Sequence, residues 1–222
     1  IRRVFLPDKG KFTRFDLHQV ELRVLQYFSG DPVMGEVMSR DIKDKANDIH
    51  GTAQRELGLH SRVQAKNFVF GGFSYGGNKD VVAKAAGIKD LELADRILQG
   101  LNNRYHVAAD WIQYQRRVGL RDMKVYTLYG RELNLAQHLG GENSSDKHIM
   151  NMAVNYVIQG SAAELFKRML VALNETVPVE DFILQVHDEQ LLDGEYEIPD
   201  DLAHIYPKLW TPLELDQSER WQ

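Results

Sequence analysis

Cysteine is absent from the 222 residues, which excludes a disulfide framework and a thiolate metal site. The chain also lacks an apolar run near the roughly 20 residues that a membrane-spanning helix needs. Its N-terminus lacks the basic, then apolar, pattern of a signal peptide. We therefore expect a soluble protein with no membrane partner.

An excess of positive charge is missing as well, because 27 Lys and Arg residues face 32 Asp and Glu residues, giving a net charge of −5. This balance argues against nucleic acid, since domains that bind a polyanion are usually basic. However, residues 189–222 hold nine acidic and two basic side chains, and residues 1–188 carry a net charge of +2. The cations concentrate in residues 1–14 and 104–131, which suit either an ordinary solvated surface or an anionic partner.

The hydrophobic pattern alternates between strand-like and helix-like segments. A short strand is predicted over 11–17, and a helix begins at 20. Residues 35–118 are helical almost throughout, a strand is predicted over 123–128, and a long helix over 145–174. A strand pair follows over 182–192, and a last strand over 211–215. The pattern predicts a strand-rich platform with a helical subdomain inserted between its parts.

The first candidate site lies in residues 15–23, FDLHQVELR. Asp16 ends the predicted strand, and Glu21 follows in the next helix. A strand holds a terminal carboxylate rigidly, as a ligand of a divalent metal ion must be held. Asp16 also suits a helix N-cap, so this cluster alone leaves both interpretations open.

The second candidate site is a helix face on which Arg62, Lys66 and Phe70 follow one another at intervals of four residues. Each step advances only about 40° around a helix axis. Two cations followed by an aromatic ring suit a triphosphate and its base. The structural alternative is a solvated basic stripe beside a core phenylalanine.

The third candidate site is the turn between the two predicted strands of 182–192. His187, Asp188 and Glu189 form this turn, which aims Asp188 out of the sheet edge. With Asp16 on a neighbouring strand, Asp188 would supply the paired carboxylates of a two-metal site. Acidic turns are common without any site, so the cluster alone does not decide.

Together the three clusters resemble motifs A, B and C of the DNA polymerase I family, the family A polymerases, in the same order. Further matching residues are Asp48-Ile49-His50 before motif B, 127–131 after it, and Asn155 with Gln159-Gly160 in the long helix. The resemblance covers essentially the whole chain. It implies a mixed α+β fold, in which a palm with a small antiparallel sheet carries an inserted helical fingers subdomain.

The resemblance also implies a division of the chain. Residues 1–24 would be the first part of the palm with motif A, 25–120 the fingers with motif B, and 121–222 the second part of the palm with motif C. The thumb and any exonuclease of the family are expected upstream and absent from this chain. We therefore expect a fragment that binds primer-template weakly by itself.

The implied activity is DNA-directed DNA synthesis, in which the primer 3′-hydroxyl attacks the α-phosphorus of a dNTP with two Mg²⁺ ions as cofactors. Asp16 and Asp188 would hold the metal, with the backbone carbonyl of Leu17 as a further ligand. Glu189 belongs to the same metal site in a supporting role. DNA primer-template and dNTPs are the implied partners.

The resemblance assigns the nucleotide to motif B and its neighbours. Arg62 and Lys66 would grip the triphosphate, and Lys66 would also be the general acid for pyrophosphate departure. His50 would be a further phosphate contact. Because Lys66 and Asp16 fall in different subdomains, the fingers are expected to close before the chemical step.

Sugar and base contacts fall to four other residues. Phe70 would lie against the sugar and base, and Glu21 would be the steric gate that excludes a 2′-hydroxyl. Gln19 and Tyr75 complete the nucleotide-binding set.

Contacts to DNA near the nascent pair are implied for a separate set of residues, namely Arg131, Asn155, Gln159 and His187. Most would reach the minor groove, where acceptors hardly differ among correct pairs, so that geometry is checked without sequence being read.

Two departures from the family pattern concern motif B and the long helix. The family's tyrosine usually follows the motif B aromatic by four residues, whereas Ser74 occupies that position here and Tyr75 comes one residue later. One residue turns an α-helix by about 100°, so Tyr75 can take the usual pose only if a bulge absorbs the addition. Asn151 stands where the family often has an arginine, one turn before Asn155.

Two other functions remain as alternatives: a single-subunit RNA polymerase and a non-catalytic nucleic-acid-binding relic. Glu21 at the gate position and Glu189 after Asp188 favour DNA synthesis. The intact Asp16, Lys66 and Asp188 favour an enzyme. The unusual motif B favours a phage or viral source, so the expected location is the cytoplasm of a bacterium or infected host, with an organelle left open.

Overall fold

The computed structural model describes residues 4–139 and 145–221. Arg2 and Arg3 of the N-terminal basic block lie outside the described residues. The chain falls into two compact units, one formed by the residues up to 23 and from 161 onward, the other by residues 24–160. These units are defined by packing, so the assignment of palm and fingers over 1–24, 25–120 and 121–222 stays a prediction.

The described residues contain six strands and eight α-helices. The strands are β1 (Phe12–Leu17), β2 (Lys124–Tyr126), β3 (Glu132–Asn134), β4 (Phe182–Val186), β5 (Glu189–Asp193) and β6 (Leu213–Ser218). The helices are α1 (Val20–Ser29), α2 (Pro32–Met38), α3 (Ile49–Glu56), α4 (Arg62–Lys66), α5 (Lys79–Ala86), α6 (Leu91–Arg104), α7 (His106–Asp122) and α8 (Asp146–Leu173). Short 3₁₀ turns occupy Ala136–His138, Val179–Asp181 and Asp200–His204. This composition confirms the mixed α+β fold.

The sheet of the first unit has the order β4-β5-β1-β6, and all its neighbours are antiparallel. The central strand β1 alternates its side chains across the sheet. Phe15 is fully buried and its ring lies 6.0 Å from the ring of Phe166 on α8. Arg14 and Asp16 occupy the opposite face. The core therefore anchors one face of β1 at Phe15, while the other face changes from the buried Phe12 to the polar Arg14 and Asp16.

The second unit is mainly helical, with β2 and β3 paired as a small hairpin. Several of its helices begin at a side chain that caps the first turn, as the sequence pattern favours. The capping side chains are Asp31 before α2, Asp48 before α3, Ser61 before α4, Asn78 before α5 and Asp90 before α6. The caps from Asp48 to Asp90 mark positions at which the long helical pattern of 35–118 is divided into separate helices.

A π-helical segment, Asn67–Ser74, continues α4. The backbone N–H of Tyr75 donates to the carbonyl of Phe70 at 2.9 Å, five residues back, as in a π-turn. Gly72 is buried, and a Cβ there would lie 2.3 Å from Leu98 Cδ2 on α6. Gly72 therefore lets a widened turn pack closely against α6.

The predicted strands agree with the structure to within a few residues. The hairpin of β4 and β5 turns at His187-Asp188, as predicted, whereas β6 begins and ends later than the predicted 211–215. None of the described helices combines the length and the hydropathy that crossing a membrane requires.

Gly119 allows α7 and α8 to approach closely, since a Cβ at this position would lie 2.2 Å from the Cβ of Ala153. Neither atom can move without its backbone. We expect Gly119→Ala to lower the free energy of unfolding by about 1–3 kcal/mol, measured by urea denaturation.

The matched control is Gly71→Ala, where the nearest atom to a new Cβ is Val82 Cγ2 at 3.9 Å. This variant should match the parent within about 0.5 kcal/mol. Equal effects of the two substitutions would contradict the close helix contact.

Candidate active site

The register of the sheet places Asp16 between two other acidic residues. Asp16 pairs with Glu189 on β5 and with Glu214 on β6. Directly opposed residues project from the same face of a sheet, so the three side chains share one face. The backbone N–H of Leu17 donates to the carbonyl of Asp188 at 3.2 Å. The structure therefore brings Asp16, Leu17, Asp188 and Glu189 together, as the sequence predicted.

Negative charge accumulates in this cluster. Burial, followed by the charges of Asp188, Glu214 and Glu189, raises the pKa of Asp16 to about 7, while Arg14 opposes the shift. Burial and the charge of Asp188 likewise raise the pKa of Glu21 to about 7. The first unit thus holds carboxylates whose ionised forms need additional positive charge.

Both carboxylate oxygens of Glu189 already have protein partners. Arg14 Nη1 donates to Oε2 at 3.0 Å, and the indole N–H of Trp221 donates to Oε1 at 2.9 Å. The Trp221 ring packs on Phe12 and Leu191 of the sheet. These contacts suit the supporting role predicted for Glu189. Sequence reasoning missed Glu214, whose position beside Asp16 follows from the strand register, and Trp221, whose side-chain hydrogen bond to Glu189 only the fold shows.

The donor set suits a divalent cation that takes further ligands from a substrate. No group of three or more His, Asp or Glu side chains in the described part of the chain is arranged to hold a metal ion by itself. Mg²⁺ commonly binds one or two carboxylates and completes its shell with water and substrate phosphates. Asp16 and Asp188 fit this mode, because the half-buried, mutually repelling carboxylates favour a cation between them. The metal set of Asp16, Leu17, Asp188 and Glu189 stays a prediction.

The turns beside the two carboxylates have left-handed backbone. Gln19 has φ 54° and His187 has φ 55°. Non-glycine residues adopt this conformation at a cost of roughly 1–2 kcal/mol. Such strain is typical of sites where the surrounding structure fixes a functional turn.

Arg23 holds the turn that follows Asp16. Its Nε donates to the carbonyl of His18 at 2.9 Å, and its guanidinium lies 4.8 Å from the ring centre of Trp210. Burial lowers the pKa of Arg23 to about 10, which still leaves it charged near neutral pH. This arginine is therefore a structural support for the turn.

The second unit carries the motif B residues. Lys66 is exposed at the end of α4, whereas Arg62 forms an ion pair with Asp48 and donates to the carbonyl of Lys45 at 2.8 Å. Asp48 also caps α3 through the backbone N–H of Gly51 at 2.8 Å. Asp48, which belongs to the segment 48–50 that resembles the family pattern, thus orients Arg62.

An aromatic row follows the cations. The ring of Phe70 lies 5.2 Å from that of His50 and 6.3 Å from that of Tyr75, with which it is stacked. Ser74 is buried and its hydroxyl donates to the carbonyl of Val69 at 2.9 Å. The π-turn therefore accommodates the additional residue, so that Tyr75 stacks on Phe70 while Ser74 faces the core. The nucleotide-binding role of Tyr75 stays a prediction.

Three of the predicted DNA contacts gather along α8 in the second unit. Asn155 and Gln159 are four residues apart on this helix, and Gln159 is exposed. A Cβ on Gly160 would lie 3.6 Å from Arg131 Nη2, so Arg131 lies beside the same stretch. His187 is exposed on the hairpin turn of the first unit. Their contacts to DNA stay predictions.

Comparison with known proteins places this site in a family context. Residues 1–211 match the family described as DNA polymerase family A. DNA polymerase I of Chloroflexus aurantiacus is 29% identical over 97% of this chain and 24% of its own length. The thermostable DNA polymerase I of Thermus aquaticus is 29% identical over 97% of this chain and 27% of its own length. The chain thus spans about a quarter of these curated relatives.

A solved structure supports the fold. The POL domain of Pol1 from M. smegmatis, in complex with DNA primer-template and dNTP, covers 100% of this chain with a TM-score of 0.80. The two sequences are 20% identical, and the match covers 42% of that chain. The likeness confirms the fold class.

The raised pKa of Asp16 predicts a pH-dependent stability. The unfolded carboxyl has a pKa of 3.8 and the folded one about 7, so ionisation opposes folding. The loss of stability grows as the pH rises from about 4 to 7 and is complete above 7. In EDTA, Asp16→Asn should be more stable than the parent by about 2 kcal/mol at pH 8 and about equal at pH 4.

Thermal denaturation over this pH range measures the difference. Asp200→Asn, an exposed carboxylate on a 3₁₀ turn, is the matched control and should show no such trend. A difference for Asp16→Asn that does not vary with pH would contradict the electrostatic explanation.

Proposed function

The chain belongs to DNA polymerase family A, and we propose that it is the polymerase part of an enzyme that extends a DNA primer on a DNA template. The observation that carries this proposal is that a backbone hydrogen bond from Leu17 to Asp188 holds Asp16 and Asp188 close together at one end of the sheet. The family model matches the chain over residues 1–211, which include both carboxylates. The M. smegmatis relative was solved with primer-template and dNTP, which supports the same partners here. We expect this enzyme to act in the cytoplasm.

The proposed cofactor is Mg²⁺, as two ions held by Asp16, Asp188 and the Leu17 carbonyl. When bound, such ions lower the barrier to attack and stabilise the leaving pyrophosphate. The chain's own carboxylates set the position of this chemistry. The cation favours the ionised form of Asp16, whose pKa is otherwise raised by burial. Glu189, held by Arg14 and Trp221, supports the two ligands from the adjoining strand.

Motif B supplies the positive charge for the triphosphate. Lys66 is exposed and its Nζ can donate hydrogen bonds and, at departure, a proton to the pyrophosphate oxygens. Arg62, oriented by Asp48, provides a planar donor set for phosphate oxygens. His50 lies beside the aromatic row and is the proposed further phosphate contact.

The remaining proposed roles concern selection of the nucleotide and grip on DNA. Glu21 is the gate against a 2′-hydroxyl, and Gln19, Phe70 and Tyr75 contact the sugar and base. The proposed DNA contacts are Arg131, Asn155, Gln159 and His187. In this scheme residues 1–24 and 121–222 act as the palm and 25–120 as the fingers.

Asp188→Asn tests the proposed catalysis. Loss of one carboxylate should reduce primer extension on the order of 10³-fold or more, with primer-template binding retained. Gel extension in the full-length protein and fluorescence anisotropy with labelled DNA measure the two properties. Asp200→Asn is the control and should extend DNA at the parental rate.

The same assay with rNTPs in place of dNTPs separates the two polymerase functions. The proposal predicts incorporation of dNTPs by the parent and little incorporation of rNTPs. Efficient RNA synthesis would instead support the single-subunit RNA polymerase alternative. DNA binding without any extension by the parent would support the relic.

Tyr75→Ala and Ser74→Ala test which of two adjacent residues serves the nucleotide. Because Tyr75 stacks on Phe70, its loss should raise the KM for dNTP about tenfold, in line with one lost base-stacking contact. Ser74→Ala removes a buried hydrogen bond and should lower the unfolding free energy by about 1 kcal/mol without changing KM. Steady-state kinetics and denaturation decide, and the reverse pattern would contradict the assignment.

A further inference from the structure

Arg116 of α7 enters a narrow space between the end of the π-helical segment and α8. Its Nη2 donates to Asn151 Oδ1 at 3.1 Å. Gly76 borders the guanidinium so closely that a Cβ would lie 1.6 Å from Nη2 and 2.8 Å from Asn151 Oδ1. Gly76 also has φ 68°, which favours glycine. The backbone is thus shaped to admit this one guanidinium.

The charge of Arg116 has no counter-charge in the described part of the chain. Its Nε is buried without a hydrogen-bond partner, and burial lowers its pKa. Four other arginines of the second unit pair with carboxylates: Arg40 with Glu36, Arg62 with Asp48, Arg104 with Glu56 and Arg121 with Asp122. A half-buried cation without such a pair costs folding free energy, and binding of an anionic ligand would offset this cost.

We propose that Arg116 binds a phosphate of the DNA backbone, a contact that rests on the polymerase function proposed above. Asn151 holds the guanidinium one helical turn from Asn155, among the proposed DNA contacts of α8. Among the triphosphate contacts proposed in motif B, Lys66 is the nearest along the chain, ten residues before Gly76, which is roughly 15 Å along a helical path. This separation favours a phosphodiester of DNA over the triphosphate, although both offer the same phosphate oxygens.

Arg116→Leu tests the contact by removing the charge while keeping an apolar stem. In the full-length protein we expect the Kd for a 3′-blocked primer-template to rise about tenfold at low salt. The slope of log K against log salt concentration should fall by about 0.9, the value for one phosphate contact. Arg117→Leu, the exposed neighbour on α7, is the control and should change Kd less than twofold.

A second measurement distinguishes a phosphate of the DNA backbone from the triphosphate of a dNTP. A DNA contact leaves the KM for dNTP within twofold of the parent at saturating primer-template. An increase in this KM without a change in DNA affinity would overturn the proposal in favour of the triphosphate. Parental Kd and salt slope in a folded Arg116→Leu protein would also overturn it.

Asn151→Asp tests the same contact in a protein that keeps Arg116, so the result does not depend on whether the fold tolerates loss of the arginine. A carboxylate at this position supplies the missing counter-charge, so thermal stability should rise while DNA affinity falls about tenfold. Asn103→Asp, exposed on α6, has the same net charge and should leave both properties unchanged. If Asn151→Asp binds DNA as the parent does, the proposal is wrong.

These outcomes are distinguishable from failure of the proposed function. Affinity is measured with a blocked primer and requires no synthesis. A parent that binds DNA but does not extend it would contradict the polymerase proposal and leave the salt-slope comparison of Arg116→Leu with Arg117→Leu intact. A parent that extends DNA, with equal slopes in both variants, would contradict only the Arg116 contact.

Discussion

The first unit depends on the crowding of carboxylates that its sheet enforces. Antiparallel pairing fixes Asp16 opposite both Glu189 and Glu214, and the hairpin turn adds Asp188. Burial of Asp16 and then these like charges destabilise the folded state, as the raised pKa of Asp16 indicates. The sheet tolerates them because its opposite face is anchored in the core by Phe15. This repulsion is what prepares the site for a divalent cation.

In the second unit, the positively charged side chains differ from one another in how they are paired and exposed. Arg62 is oriented by Asp48, Lys66 is left exposed, and Arg116 is half-buried without a carboxylate partner among the described residues. Oriented and unpaired cations suit successive phosphates better than a uniform basic surface does. A chain with a net charge of −5 can therefore carry sites for a polyanion, because local placement decides affinity.

Much of the fold was readable from local patterns. The alternation in β1 and in the β4–β5 hairpin, the caps of the helices and the length of α8 each follow from short-range physics. The grouping of Asp16 with Asp188 was also predicted, because strand-end carboxylates in one sheet tend to meet. Glu214 and Trp221 could not be found this way, since their proximity to the cluster depends on strand order and on side chains distant along the chain.

By itself, the sequence determined the three motifs, their residue types and the position of the additional residue in motif B. Only the tertiary structure decided how that residue is accommodated: a π-turn against α6 buries Ser74 and returns Tyr75 to Phe70. The same holds for Arg116, whose partner Asn151 is 35 residues away and whose space depends on Gly76. Spacing along a chain sets which residues share a helix face, whereas packing between helices sets which charges remain for a ligand.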